Sequence, residues 1–383
     1  MFAKIHGARI AAIRAAVPTQ EVHIENELEY YGNSLKKVQR VKSMIGTDCR
    51  RLAWPGQTAS DFCYAAAENI LEAHPDKRQK IDAIIFVTQS PDYDLPATAC
   101  ILQNRLNLPQ SCAAFDVNQG CAGFVYGLWL GASLVSTGCE NVLVLAGDTP
   151  GNPRDVRNRV MAAIFGDGGG AALISRDAAA SDLYFSIGTD GAGYEHLIVP
   201  VGRNRIPYSR EFEENRELWD DIESKEGFPW RLNETFMDGS AVFAFTMRVV
   251  PDHINDFLQE SGISKDSIDY FVFHQANKQI ITEIAKKARL PLEKVYSETF
   301  SRYGNLSSAS VPAVISDLFG SAGTSGNSRL LLSGYGVGLS WASCIWDADN
   351  CDCAPVLDVP APEDGGQRRD TLIDYWRNKL GGK

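Results

Sequence analysis

The sequence has no run of about 18 apolar residues, the length a membrane-spanning helix needs, so no membrane span is expected in its 383 residues. It has no basic surplus either. A formal net charge of −11 speaks against a nucleic-acid partner, which is met by a basic face. No CxxC pair occurs among the nine cysteines, and no two of the six histidines stand at zinc-ligand spacing. The tightest cysteine cluster, Cys351 and Cys353, lies in a proline-rich stretch without histidines nearby, so no metal is expected. The opening MFAKIHGARIAAIRAAVPTQ lacks the pattern of a secretory leader, because charges interrupt its apolar stretch, and it reads as a first strand and turn. The cysteines are then expected to be reduced thiols in a cytoplasmic protein. GDGGGA from Gly166 lacks the strand–GxGxxG–helix context of a phosphate loop and is expected to turn tightly into the strand AALIS.

What is present is an ordinary globular composition, 44% hydrophobic and 22% charged, enough for one large domain or two fused ones. A faint internal repeat runs through it. KIDAIIFVTQ from Lys80 resembles SIDYFVFHQA from Ser267, and each follows an amphipathic helical segment, DFCYAAAENILEAH and DHINDFLQESG. FDVNQGCAGF from Phe115 aligns with FSRYGNLSSAS from Phe300, ENVLVLAGD from Glu140 with NSRLLLSGYG from Asn327, and GDGGGAALIS from Gly166 with GVGLSWASCI from Gly336. Short apolar strands alternating with helices predict an α/β fold with largely parallel sheet covered on both faces. Two similar halves, 1–180 and 181–348, are expected to pack as one pseudo-symmetric body, followed by a linker and helix over 349–383.

The repeat sets Gly120-Cys121 opposite Gly304-Asn305, each where a loop after a strand enters a helix. His274 ends a repeated strand. Pseudo-twofold packing brings such equivalent ends together at the centre. A thiolate is a strong nucleophile, a free thiol is mostly protonated near neutral pH, and a helix N-terminus favours negative charge. Cys121, ahead of AGFVYGLWLG and flanked by Gly120, Ala122 and Gly123, fits that position. Each residue also has a plainer reading. A cysteine is more often a buried structural group, the reading given to Cys63, Cys100, Cys112, Cys139 and Cys344. A strand-end histidine is more often satisfied structurally, and an Asn in a Gly-Asn turn more often caps.

Taken together the segments resemble β-ketoacyl-acyl carrier protein synthase III, within the thiolase-like superfamily. The pieces are QTASD at 57–61, DVNQGCAGF around Cys121, IFGDGGGA from Ile164, HQAN at 274–277, YGNLSSASVP at 303–312 and YGVGLSW at 335–341, in the family order. The resemblance implies a thiolase-like fold, a layered α-β-α-β-α body, and a cysteine-based acyltransferase. Cys121 would take an acyl group from acyl-CoA or an acyl carrier protein, with the backbone N–H groups of Cys121 and Val337 as oxyanion hole. His274 and Asn305 would stabilise the enolate formed when a malonyl group on acyl carrier protein loses carbon dioxide, and condensation would give a β-ketoacyl product. The alternatives are an acyltransferase on the same scaffold serving an oxygen, nitrogen or sulfur acceptor, and a non-catalytic partner subunit. The resemblance further implies a homodimer, no metal or redox cofactor, a CoA-phosphate contact at Arg159, a pantetheine-channel contact at Asn277, and Leu95 crossing to line the partner's acyl pocket.

The sequence departs from the family in four places. Where an aromatic and an arginine would sandwich the CoA adenine stand Arg40 and Met44, which opens the way to an acyl-carrier-protein donor or another nucleotide grip. Val337 replaces a common glycine, with Tyr335 just before it. The charged and aromatic stretch 202–236 is longer than usual and is expected either to cap the tunnel mouth and shape the acyl or carrier site, or to be a solvated loop insertion. After residue 348, DVPAPEDGGQRRD reads as a flexible linker. Asp370 then caps a helix with Leu372, Ile373, Trp376 and Leu380 on one face, expected to dock on its own body or on a dimer partner.

Overall fold

The repeat becomes two sheets of matching strand order. The first contains β2 (Ala8–Pro18), β5 (Ala83–Val87), β6 (Ala113–Val117), β7 (Asn141–Asp148), β8 (Gly168–Arg176), β18 (Asp352–Cys353) and β19 (Leu357–Val359). The second contains β1 (Phe2–Ile5), β9 (Leu183–Thr189), β14 (Tyr270–Phe273), β15 (Val295–Tyr296), β16 (Asn327–Gly336) and β17 (Ser340–Asp349). The structure, a computed structural model, describes residues 1–151, 163–207, 222–223, 229–363 and 368–380. Inside the first sheet the order is β2-β8-β7-β5-β6, and inside the second β9-β17-β16-β14-β15. Equivalent pairs also share direction. The two pairings nearest β2 and β9 are antiparallel and the two beyond them parallel. The sheets are therefore mixed, not largely parallel as expected. Only residues 337–339 separate β16 from β17, too few for the crossover a parallel pair needs.

Helices occupy three layers around the sheets. Alternate side chains of a strand face opposite ways, so each sheet feeds two cores. Between the sheets lie α4 (Gly123–Thr137) and α8 (Ser310–Phe319), whose Phe124, Val125, Leu128, Val311, Val314 and Ile315 share one buried cluster with strands of both sheets. Outside the first sheet packs α2 (Ala59–Ala73), through Phe62, Ala66 and Ile70. Beside it runs α3 (Thr98–Arg105). Outside the second pack α5 (Gly239–Ser261) and α6 (Lys278–Lys287), through Val250, Ile254, Phe257, Ile281 and Ile284. The result is the layered α-β-α-β-α body. α4 is apolar all round because it is covered on both sides. Gly131 lies flush on the first sheet, where a Cβ would come within 2.7 Å of Ile174 and 2.8 Å of Val144. The glycines of GDGGGA enter β8 itself, and a Cβ on Gly169 would fall 2.6 Å from the Cys63 backbone nitrogen on α2.

The chain ends exchange sheets. β1 pairs with β9 of the second sheet, whereas β18 and β19 pair parallel with β2 of the first. Leu357–Val359 is thus a strand, although the sequence around it reads as linker. Its backbone is used by β2, and Gln57 donates to the Pro360 carbonyl at 2.8 Å. The final helix, α9 (Arg368–Leu380), is exposed along its described side chains. Leu372, Ile373 and Trp376 remain about 40% exposed and Leu380 81%. It does not dock on its own body, which corrects one of the two sites expected for it. No helix among the described residues is long and apolar enough to cross a membrane.

Candidate active site

The three candidate residues sit where the equivalent strand ends meet. Cys121 follows β6 and lies two residues before α4, in the turn closed by the Gly123 N–H on the Gly120 carbonyl at 2.6 Å. It is 9% exposed. The other half walls it in. A Cβ on Gly334 would lie 2.6 Å from the Cys121 carbonyl oxygen, and one on Gly336 would lie 2.8 Å from its sulfur. Only hydrogen fits at either place. The Val337 N–H and the Ser307 hydroxyl lie near the sulfur and favour the thiolate. Burial, and after it the charge of Asp148, act the other way and push the thiol up to about 11. The resting group is the thiol.

Asn305 is pinned by the first half. Gly304 takes φ +76°, a left-handed conformation that glycine adopts without strain. The chain then forms an isolated bridge with Phe165: the Asn305 N–H donates to the Ile164 carbonyl at 2.8 Å, and the Gly166 N–H donates to the Asn305 carbonyl at 3.0 Å. The Asn305 Oδ1 accepts from the Ser307 N–H at 2.9 Å. That commits the acceptor side of the amide and leaves Nδ2 as the outward donor. Ser307 holds φ +50°, a conformation costly for a non-glycine residue and concentrated at functional sites.

His274 follows β14, its backbone N–H bonded to the Ser333 carbonyl at 2.8 Å. It is 2% exposed, and burial pushes its imidazolium down to about 3, with the Ser307 backbone carbonyl favouring the charged form weakly by comparison. The ring is neutral. Tyr335 meets it edge-on, ring centroids 5.7 Å apart, and its hydroxyl reaches the His274 carbonyl at 3.4 Å. Ser307 is therefore the common neighbour of all three: its N–H donates to Asn305, and its hydroxyl and carbonyl act on the charge of Cys121 and His274.

Behind them lies Asp148 at the end of β7, 2% exposed. Its Oδ1 accepts from the Gln89 N–H at 2.7 Å and the Thr88 hydroxyl at 3.2 Å, and its Oδ2 from the Ser308 hydroxyl at 2.7 Å and N–H at 3.2 Å. It ties the first sheet to the loop of Asn305. Sequence reasoning missed Ser307, Ser308 and Asp148. The one available signal was a lone acid closing the apolar strand VLVLAGD.

The remaining expectations divide. Val337 lies beside Cys121, where its N–H favours the thiolate. Asn277 caps α6, its Oδ1 accepting from the Ile280 N–H at 2.8 Å. Leu95 is 82% exposed, beside an ion pair of Asp94 with Arg203. Arg40 and Met44 are exposed one turn apart on α1 (Leu35–Ile45). Arg159 lies outside the described residues, as does much of 202–236. Within that stretch β11 (Ile222–Glu223) pairs with β12 (Pro229–Trp230), and at its end β13 (Phe236–Met237) pairs with β10 (Leu197–Ile198), which precedes it.

Comparison with known proteins gives one answer. Residues 115–191 match the family model for 3-oxoacyl-[acyl-carrier-protein (ACP)] synthase III, and residues 258–348 match the model for its C-terminal part. A β-ketoacyl-[acyl-carrier-protein] synthase III of Rhodopirellula baltica is 32% identical over 362 residues, covering 89% of this chain and 99% of the relative. The synthase III of Caldanaerobacter subterraneus is 34% identical over 307 residues, 80% of this chain and 88% of the relative. The crystal structure of a 3-oxoacyl-(acyl-carrier protein) synthase from Burkholderia xenovorans superposes with a TM-score of 0.85 at 36% identity, covering 94% of this chain and 99% of that one.

Proposed function

This chain belongs to the 3-oxoacyl-[acyl-carrier-protein] synthase III family, and from that premise we propose the reaction its three site residues perform. It is an acyltransferase that condenses with decarboxylation. The Cys121 sulfur attacks the carbonyl of an acyl thioester, acyl-CoA or acyl carrier protein, and the tetrahedral oxyanion is met by the N–H groups of Cys121 and Val337. The leaving thiolate takes the proton that the cysteine gave up. A malonyl thioester on acyl carrier protein then enters. Its carboxylate leaves as carbon dioxide, and the electron pair passes into an enolate. His274 and Asn305 donate to the enolate oxygen. The enolate carbon attacks the acyl-cysteine carbonyl, the carbon–sulfur bond breaks, and a β-ketoacyl carrier protein leaves.

The observation that carries this reading is the meeting of Cys121, Asn305 and His274 around Ser307, with the amide's donor face free and the imidazole neutral. Asn305 has only its donor face free. His274 is neutral, and its buried Nδ1 has no hydrogen-bond partner. The reaction uses this neutral ring with its proton on Nε2, the tautomer that donates. The step redistributes electrons between two thioesters and a carboxylate, so it calls for no metal or redox cofactor. The exposed Leu95, with the 43% exposed Tyr93 close by in sequence, supports a homodimer in which each Leu95 enters the partner's acyl pocket. A cytoplasmic setting accords with nine free thiols.

Intact-mass spectrometry tests the first step. Incubation with a panel of acyl-CoA and acyl carrier proteins is expected to add one acyl group, and Cys121→Ala to remove the adduct. An adduct that survives this substitution would sink the acyl-cysteine. Carbon dioxide release from malonyl carrier protein, dependent on His274, separates condensation from transfer to an oxygen, nitrogen or sulfur acceptor.

A further inference from the structure

Away from this site, a two-stranded hairpin brings together three side chains that the reaction does not use. β3 (Glu21–His23) pairs antiparallel with β4 (Cys49–Arg51), so that Glu21 faces Arg51 and His23 faces Cys49. Residues two apart on a strand share a face, and directly opposed pairs bring their Cβ atoms to about 5 Å. Glu21, His23 and Cys49 accordingly present a carboxylate, an imidazole and a thiol whose ligating atoms all lie within 4.8 Å of one another.

We propose that this face binds a thiophilic divalent cation of the Zn2+ type through a Glu21 oxygen, a His23 ring nitrogen and the Cys49 thiolate. Four-coordinate zinc with bonds of about 2.0–2.3 Å sets its ligand atoms roughly 3.3–3.8 Å apart, and Glu21 Oε2 stands 3.8 Å from His23 Nε2. The second carboxylate oxygen is already committed. Oε1 takes Arg51 at 2.8 Å, and Arg51 is itself held by the Pro18 carbonyl and Asp358, each at 3.0 Å. A ligand carboxylate anchored from behind in this way is oriented before the cation arrives.

The donor set selects the ion. One sulfur, one imidazole and one carboxylate suit zinc-type ions, whereas magnesium and calcium need oxygen cages. Glu21 and His23 are about half exposed and give the ion its route in, while Cys49 is 8% exposed at the floor. Burial and the charge of Glu21 keep the Cys49 thiol protonated without a cation. Binding replaces that proton, forming the metal–sulfur bond and releasing one H+ to solvent. The site is a brace. The Arg51 carbonyl accepts from the Asp167 N–H at 2.8 Å, and the Asp48 N–H donates to the Ser301 carbonyl at 3.1 Å in α7 (Thr299–Tyr303), which leads into Gly304 and Asn305. The cation would stiffen the hairpin under that loop and take no part in the chemistry. The proposal is independent of the reaction assigned above.

Cobalt spectroscopy tests it. Chelator-treated full-length protein, titrated with Co2+, is expected to show a thiolate-to-cobalt charge-transfer band and intense four-coordinate d–d bands, both displaced by one equivalent of Zn2+. Cys49→Ser is expected to abolish the charge-transfer band, and Cys100→Ser, at an exposed cysteine, to leave it intact. His23→Ala and Glu21→Gln, at half-exposed positions that folding tolerates, are each expected to weaken Zn2+ binding at least tenfold and to cancel the rise in Tm that Zn2+ gives the wild type. Absence of the band in the wild type overturns the proposal. So does a band that persists in Cys49→Ser, or Zn2+ affinity unchanged in both His23→Ala and Glu21→Gln. If Cys49→Ser fails to fold, those last two variants decide alone.

Discussion

The loop of Cys121 and the loop of Asn305 occupy equivalent places in the two halves, yet each is held by the half it does not belong to, and by different forces. Cys121 is held by shape. Gly334 and Gly336 of β16 approach so closely that a methyl group would overlap its carbonyl oxygen or its sulfur. Asn305 is held by hydrogen bonds, its backbone donating to the Ile164 carbonyl and accepting from the Gly166 N–H, while the neighbouring Ser308 donates to Asp148. The difference suits the two tasks. A nucleophile must move little but needs open space on one side for an incoming carbonyl. An amide donor must keep one face, and polar contacts fix orientation where packing alone does not. The exchange of support also makes the site a property of the whole body, since neither half builds it alone.

Breaking either loop at its reactive group gives the largest effects. Cys121→Ala is expected to lower condensation by about 10⁴-fold or more, the order seen when a covalent nucleophile is removed. His274→Ala and Asn305→Ala should leave acylation of Cys121 largely intact but lower carbon dioxide release from malonyl carrier protein by roughly 10²–10³-fold, the usual loss for one oxyanion donor. Mass spectrometry of the adduct beside a decarboxylation assay reads both. Equal losses in both assays for His274→Ala would show that the halves do not divide the reaction.

The packing side of the comparison is tested next by Gly336→Ala. The added methyl would overlap the Cys121 sulfur, displacing the sulfur or the strand, at a stability cost of about 1–3 kcal/mol for overpacking. Acylation is expected to slow at least tenfold. A wild-type rate with an unchanged Tm would mean that shape does not hold this loop.

Much of this arrangement was legible in the sequence, for a physical reason. The repeat is carried by apolar strands and by glycines at close approaches, which leave marks at fixed spacing, so the pairing of Gly120-Cys121 with Gly304-Asn305 and the two similar α/β halves could be read directly, whereas the layered body came from the family resemblance. The mixed strand direction could not, because apolar runs look alike in parallel and antiparallel pairs; the three-residue link at 337–339 was the missed sign. Ser307 and Ser308 are ordinary in the motif YGNLSSAS. Their roles come from a positive φ and a long-range acid, neither of which has a period. The Glu21, His23 and Cys49 face was invisible for a similar reason. Metal-ligand spacing is sought along one segment, whereas these residues meet across a strand pair with 25 residues between His23 and Cys49.

The hydrogen-bonded side of the comparison is weakened by Asp148→Asn. One carboxylate oxygen becomes an amide donor facing either the Gln89 N–H or the Ser308 N–H, and a buried donor left facing a donor costs about 1–3 kcal/mol. A fall in Tm of that size is expected. The pH profile of Cys121 alkylation should also shift to lower pH, because the charge of Asp148 is one of the causes that raise this thiol. Unchanged stability would remove Asp148 from the support of Asn305.

The smallest effect sharpens what keeps the second half dry. His253 on α5 is partly buried, its Nε2 3.0 Å from the Ser343 hydroxyl, which donates to the Ser333 hydroxyl at 3.0 Å. Ser333 is the residue whose carbonyl holds the backbone of His274. Burial lowers His253 from 6.5 to about 4. Its folded pKa therefore lies below its unfolded one, and between about pH 6.5 and pH 4 the unfolded chain binds more protons. Stability from this group is complete above pH 6.5 and is lost as pH falls through that window, with a slope approaching about 1.4 kcal/mol per pH unit. His274 adds a like slope that continues toward pH 3. In denaturant melts at stepped pH, His253→Gln should lower the acid slope by up to about 1.4 kcal/mol per pH unit while leaving the contribution of His274. A slope untouched by His253→Gln would mean that water already reaches this ring, and that the wall behind His274 is less sealed than the one behind Cys121.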